Sequence, residues 1–141
     1  MKARRYFLDT AYLLALADAG DELHVVASRW QAAVAKGAAG LLTTELVLIE
    51  TVNALRKPAW RDVAVDLWRT LWRDPRVHVE RMTPELMERA MTLFADRRDK
   101  AWSLTDCLSF VVMRDQGLSD ALTSDQHFVQ AGFRALLLES P

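Results

Sequence analysis

Four carboxylates stand inside otherwise apolar strings of this chain. They are Asp9 in Tyr6-Phe7-Leu8-Asp9-Thr10-Ala11, Glu50 in Leu46-Val47-Leu48-Ile49-Glu50-Thr51-Val52, Asp106 in Leu104-Thr105-Asp106-Cys107-Leu108-Ser109-Phe110, and Asp125 in Leu122-Thr123-Ser124-Asp125-Gln126-His127-Phe128. Flanks of this kind predict burial, and a carboxylate buried without a partner costs several kcal/mol or gives up its charge. No Lys or Arg occurs in any of the four strings, so a shared partner is needed, and a divalent cation is the economical one. Crowded carboxylates raise one another's pKa unless a cation stands among them. Oxygen ligands select hard ions, so Mg²⁺ or Mn²⁺ is expected rather than Zn²⁺. The chemistry such a site suits is in-line hydrolysis of a phosphodiester by water, with one or two ions and no protein nucleophile.

Each acid also has a local explanation. Asp9 or Thr10 could cap a first helix, and Asp125 could cap the helix that follows it. Ser103-Leu104-Thr105-Asp106 has capping-box spacing. Glu50 could reach solvent, but its helix is apolar on nearly every side, which predicts burial. Asn53 shares its face, three residues on. The other acids, Asp120 among them, sit in polar or turn contexts and read as solvated. Asp99 lies in a charged loop where Arg97, Arg98 or Lys100 can pair with it. His24, His78 and His127 lack metal-ligand spacing. His127, near Asp125, reads as helix packing, with contact to a substrate phosphate the less favoured alternative. No glycine-rich phosphate loop or nucleophile elbow is present.

The elements that must position these acids alternate between strand and helix. Strands are expected over 5–9, 41–43, 77–80, 121–123 and 135–138. Helices are expected over 10–17, 22–36 (closed by Gly37), 44–56, 60–73, 83–96, 103–116 (ended by Gly117) and 125–131 (followed by Gly132). Thr43 or Thr44 can cap the third helix, and Thr83-Pro84-Glu85 is a strong helix start. This order predicts a single α/β domain over 1–141, with about five strands in a largely parallel sheet flanked by helices. Ligands of such sheets bind beyond the carboxyl ends of the strands. Asp9, Asp106 and Asp125 can converge there, and Glu50 can reach it if its helix leans over that edge.

The 141 residues suffice for one core, and the composition, 51% hydrophobic and 26% charged, fits neither a disordered nor a membrane protein. No apolar run approaches the roughly 18 residues of a membrane span. The basic start, Met1-Lys2-Ala3-Arg4-Arg5, lacks the apolar stretch of a signal peptide. A soluble, cytoplasmic protein is expected. The single cysteine, Cys107, reads as a small core residue. The net charge of −1 becomes +3 with the four acids set aside, an acidic centre in a mildly basic shell that is compatible with RNA. Trp68 and Trp72, with Ala64, Leu67 and Leu71, make an apolar stripe. Core packing and a groove for a partner chain both remain open for the helix from Trp60 to Trp72.

Taken together, Phe7-Leu8-Asp9-Thr10, Leu46 to Leu55, Ser103 to Phe110 and Ala121 to Phe128 resemble the four acidic motifs of PIN-domain ribonucleases, in order and spacing over essentially the whole chain. Length and the lack of extra domains resemble the toxin of VapBC-type toxin–antitoxin pairs. The resemblance implies a Mg²⁺- or Mn²⁺-dependent endoribonuclease acting on structured RNA such as tRNA or rRNA, a cognate antitoxin that covers the acidic site, and a homodimer. It implies Asp9, Glu50, Asp106 and Asp125 as the catalytic, metal-binding set. Thr10 and Ser124 adjoin those acids and are candidate supporting hydroxyls. Ser124 stands where the family often has an apolar residue. Arg56 and Lys57 are the candidate phosphate contacts, with favourable charge at a helix C-terminus as the alternative. A phosphatase of the haloacid-dehalogenase type would need a second Asp where Ala11 stands. A catalytically inactive PIN-like module that binds RNA or protein is the remaining alternative, and calorimetry of Mn²⁺ binding separates it.

Overall fold

Tyr6, Phe7 and Leu8 are buried one after another, so both faces of the first strand are covered. The computed structural model describes residues 4–141 and so leaves Met1 to Ala3, part of the basic start, outside the description. The elements run β1 (Arg5–Leu8), α1 (Thr10–Ala17), α2 (His24–Lys36), β2 (Gly40–Thr44), α3 (Glu45–Ala54), a 3-10 turn at Pro58–Trp60, α4 (Arg61–Arg73), β3 (Val77–Glu80), α5 (Pro84–Asp96), α6 (Leu104–Asp115), β4 (Asp120–Leu122), α7 (Gln126–Gln130), β5 (Arg134–Ala135) and a 3-10 turn at Leu136–Leu138. The five strands form one sheet in the order β3-β2-β1-β4-β5, and every pairing is parallel. α5 packs along α6, α1 against α2 and α3, and α3 against α4.

Local chemistry sets the helix starts. Thr44 caps α3 by accepting from Val47 N at 3.2 Å, while the Thr43 hydroxyl donates to the Leu8 carbonyl across the sheet. Thr83 caps α5 ahead of Pro84, and Ser103 with Asp106 forms a full capping box on α6. Beneath the carboxyl edge lies an aromatic cluster. Phe110 meets Phe128 edge-on at 5.0 Å and Trp102 at 5.0 Å, and Phe128 meets Phe7 at 6.2 Å. Phe7, Phe110 and Phe128 have no exposed surface, and each contributes roughly 1.5–3 kcal/mol by burial. The cluster ties β1, α6 and α7 together directly under the acids.

Three expectations change. Only Arg134–Ala135 pairs as β5, and Leu136–Leu138 curls into a turn that buries Leu136 and Leu137 and lets Leu137 N donate to Thr123 O. Gly37 closes α2 as its C-cap, as expected, and Ala38 takes the positive φ of 49° that leads into β2. Asp120 is buried rather than solvated, because Arg134, its register partner on β5, lies 3.5 Å away and Arg4 lies 3.7 Å away. Glu50 is exposed. α3 buries Val47, Leu48, Thr51 and Leu55, while Ile49, Glu50 and Asn53 face outward, so the apolar flanks belong partly to a surface.

On α4, Ala64 and Leu71 are buried, and Leu67, Trp68 and Trp72 pack partly against the core, while Val65 is exposed. Val52, Ala64, Val65, Trp68 and Arg69 line a groove of about 430 Å³ between α3 and α4. The helix therefore serves the core and also leaves an apolar strip outside it. Asp99 pairs with Arg97 at 3.0 Å and with Lys100 at 3.9 Å, as its charged loop suggests. Cys107 is fully buried.

Candidate functional site

The chain leaves β1 to build β2 and β3 on one side, then returns to place β4 and β5 on the other. The connections on the two sides of β1 therefore diverge at its carboxyl end and open a crevice between β1 and β4, the usual ligand position in such sheets. Asp9 follows β1 directly. The register pairs Leu8 with Leu122, so Asp9 falls beside Thr123. Asp9 N donates to Leu122 O at 3.3 Å, and the Thr123 hydroxyl donates to Asp9 Oδ2 at 2.7 Å. Only 6% of Asp9 is exposed. Burial pushes its pKa up to about 7, and the charges of Asp106 and Asp125 push the same way; the Thr123 hydroxyl and the Thr10 backbone amide oppose the rise.

Asp106 sits in the first turn of α6, the helix that feeds β4. Its Oδ2 accepts from Ser103 N at 3.2 Å, so the local capping reading holds, yet the same oxygen also meets the His127 ring of α7. Asp125 caps α7 through Oδ1, which accepts from His127 N at 2.8 Å. The His127 ring lies between the two acids, with Nδ1 2.9 Å from Asp106 Oδ2 and 3.4 Å from Asp125 Oδ1. One ligand atom from each of Asp106, Asp125 and His127 lies within 4.8 Å of the others. Among the described residues, no Arg or Lys pairs with Asp9, Glu50, Asp106 or Asp125.

The structure thus brings Asp9, Asp106 and Asp125 to one edge. The tight group of ligand atoms is Asp106, Asp125 and His127; Asp9 lies outside it, near enough for the charges of the two acids to act on it, and Glu50 projects from the exposed face of α3. The hydroxyl that touches Asp9 is neither Thr10's nor Ser124's but that of Thr123, which also accepts from Asp125 N at 3.0 Å and so links two of the acids. Thr10 Oγ1 is buried without a partner among the described residues. Arg56 turns back to donate to Asn53 O at the end of α3, as the helix-terminus alternative expects. Lys57 is exposed and lines a hollow with Asp18, Asp21 and Trp60.

Sequence reasoning missed two residues. Thr123 looks like any strand threonine until the register sets it beside Asp9. His127 carries a weak signal, since it lies two positions after an acid at a helix start, but its contact with Asp106 crosses 21 residues. The donor set suits a hard divalent cation. It is dominated by carboxylate oxygens, and burial raises the Asp9 pKa to about 7, a rise that a cation bound beside it would oppose.

A PIN-domain family model matches residues 6–134. The chain is 33% identical over 128 residues to the 23S rRNA-specific endonuclease VapC20 of Mycobacterium tuberculosis, covering 90% of this chain and 94% of that protein. The crystal structure of Mycobacterium tuberculosis VapC20, described as a sarcin-ricin loop cleaving toxin, superposes with a TM-score of 0.83 at 30% identity, covering 93% of this chain and 98% of that one. A Pyrobaculum aerophilum protein, PAE2754, shares the fold with a TM-score of 0.60 at 22% identity, covering 96% and 94% of the two chains.

Proposed function

The chain belongs to the PIN-domain family, and from that premise we propose that it is a Mg²⁺- or Mn²⁺-dependent endoribonuclease, the toxin of a toxin–antitoxin pair. The observation that carries the reading is the convergence of Asp9, Asp106 and Asp125 at the β1–β4 crevice without an Arg or Lys counter-charge among the described residues. When bound, the cation supplies positive charge to the attacking water and to the phosphate oxygens. Asp9, Asp106 and Asp125 would hold it, and Glu50, on the exposed face of α3, would act on the substrate side of the acidic edge. Thr123 fixes the Asp9 carboxylate and joins it to the Asp125 turn. Burial of Asp9 keeps bulk water from screening the charge there. Lys57 and Arg56 contact RNA phosphates flanking the cut.

The relative's target makes a stem-loop of the 23S rRNA sarcin–ricin type the first RNA to test, ahead of tRNA. The cognate antitoxin covers the acidic edge and seats apolar side chains in the groove between α3 and α4. The active form is a homodimer in the cytoplasm, in keeping with the lack of any helix in the described residues long and apolar enough to cross a membrane. Incubation of the purified protein with the stem-loop tests the reading. Cleavage should vanish in EDTA and return with Mn²⁺. Cleavage that persists in EDTA would refute the cation's role, and failure to cut any structured RNA with either ion would refute the nuclease.

A further inference from the structure

His127 is the one side-chain nitrogen among the described residues that touches the acids of the crevice, and it touches two of them. Its contacts fall on particular oxygens. Asp106 Oδ2 already accepts from the backbone of Ser103, and Asp125 Oδ1 already accepts from the backbone of His127 itself. The His127 Nδ1 approaches these same two oxygens, at 2.9 and 3.4 Å. Asp106 is thereby pinned through one oxygen by a backbone amide and the ring together, and Asp125 is pinned through one oxygen by the backbone amide, with the ring 3.4 Å away. Asp106 Oδ1 and Asp125 Oδ2 are left without hydrogen bonds among the described residues.

The ring is itself well held. Phe128, next in the chain, is fully buried and meets Phe110 edge-on, and Phe110 lies one helical turn beyond Asp106. Trp102 Nε1 donates to Gln130 Oε1 at 3.0 Å and ties the approach to α6 to the end of α7. The two elements that carry Asp106 and His127 are therefore clamped below the acids, and one residue that donates to both carboxylates, by its ring to Asp106 and by its backbone to Asp125, limits their freedom to turn away from each other.

We infer that His127 is a positioning residue for the cation site: its Nδ1–H holds Asp106 Oδ2 and its backbone N–H holds Asp125 Oδ1, so that the other oxygen of each acid faces the ion, and the ring is not itself a ligand. Outer partners that orient ligands in this way typically change metal affinity by 10- to 100-fold when removed. The inference rests on the reading that the acidic edge holds a divalent cation.

Mn²⁺ titration of the wild type and of His127→Asn, His127→Gln and His127→Ala, followed by electron paramagnetic resonance, tests it. The Asn amide nitrogen falls where Nδ1 stands, whereas the Gln nitrogen falls where Nε2 stands. Asn should therefore keep Mn²⁺ affinity near the wild type, and Gln and Ala should lose about 10- to 100-fold. Circular dichroism checks that each variant is folded, and the Asn–Gln contrast stands even if the Ala variant is not. The wild-type Mn²⁺ spectrum should show no nitrogen hyperfine coupling. Wild-type affinity in the Ala or Gln variant, an Asn variant as weak as Gln, or a nitrogen coupling from the ring would each overturn the inference while leaving the cation in place. A wild type that takes up no Mn²⁺ would overturn the cation reading and the inference with it.

Discussion

Replacing Asp9 with Asn should make the metal-free protein more stable at neutral and alkaline pH while abolishing cleavage. The folded protein raises the Asp9 pKa from 3.8 to about 7, chiefly by burial. A folded value above the unfolded one means that the folded state holds the proton more tightly. Stability from this group is thus fully present below pH 3.8 and is lost as pH rises through 7. The shift corresponds to a full cost of about 4 kcal/mol for the ionised form, and roughly 2–3 kcal/mol of it develops between pH 5 and pH 8. Asn carries no charge, and its carbonyl oxygen can still accept from Thr123, so the variant escapes this loss. Urea denaturation of both proteins in EDTA, at pH 5 and at pH 8, measures the gap. It should favour Asn and widen with pH by roughly 2–3 kcal/mol. Millimolar Mn²⁺ should narrow it at pH 8, because the ion binds only the folded carboxylate set. A gap that is flat with pH, or an Asn variant less stable than the wild type at pH 8, would refute the argument that desolvation governs this residue.

Thr123→Val removes the hydroxyl that serves both Asp9 and the Asp125 turn. It should cost about 1–3 kcal/mol in urea denaturation and weaken Mn²⁺ binding, and an unchanged affinity would disconnect Thr123 from the site. Glu50→Gln alters an exposed side chain, so its melting curve should stay within about 0.5 kcal/mol of the wild type while cleavage of the stem-loop falls; unaltered cleavage would remove Glu50 from the machinery. Lys57→Ala should weaken RNA binding uniformly across sequences and flatten the salt dependence of log K by about one unit, as measured by filter binding in Ca²⁺; an unaltered slope would place the RNA elsewhere.

Most of the architecture was legible because local signals agreed with one another. The buried run Tyr6 to Leu8 marked a two-faced strand, Thr83-Pro84 marked the start of α5, and Gly117 ended α6 with its φ of 67°. Asp9 and Asp106 were legible as site candidates because apolar flanks and a helix start coincide there. Glu50 misled on burial. A surface helix can present Ile49 and Val52 beside an acid when the outer face is itself apolar, and flanking residues alone do not reveal which side faces the core. Thr123, His127 and Asp120 were illegible for a different reason. Each owes its role to a neighbour far away in the chain, Asp9, Asp106 and Arg134 respectively, and only the strand register and the packing of α6 on α7 bring those partners together.

The parallel sheet joins its first strand to its fourth, and the hydroxyl that steadies Asp9 arrives 114 residues later. A growing polypeptide that has emerged only as far as α6 can pair β1 with β2, but it lacks the Asp125 turn and the Thr123 contact. On the proposed reading, the cation site is completed only when β4 and the Asp125 turn join a sheet whose first strands are already paired.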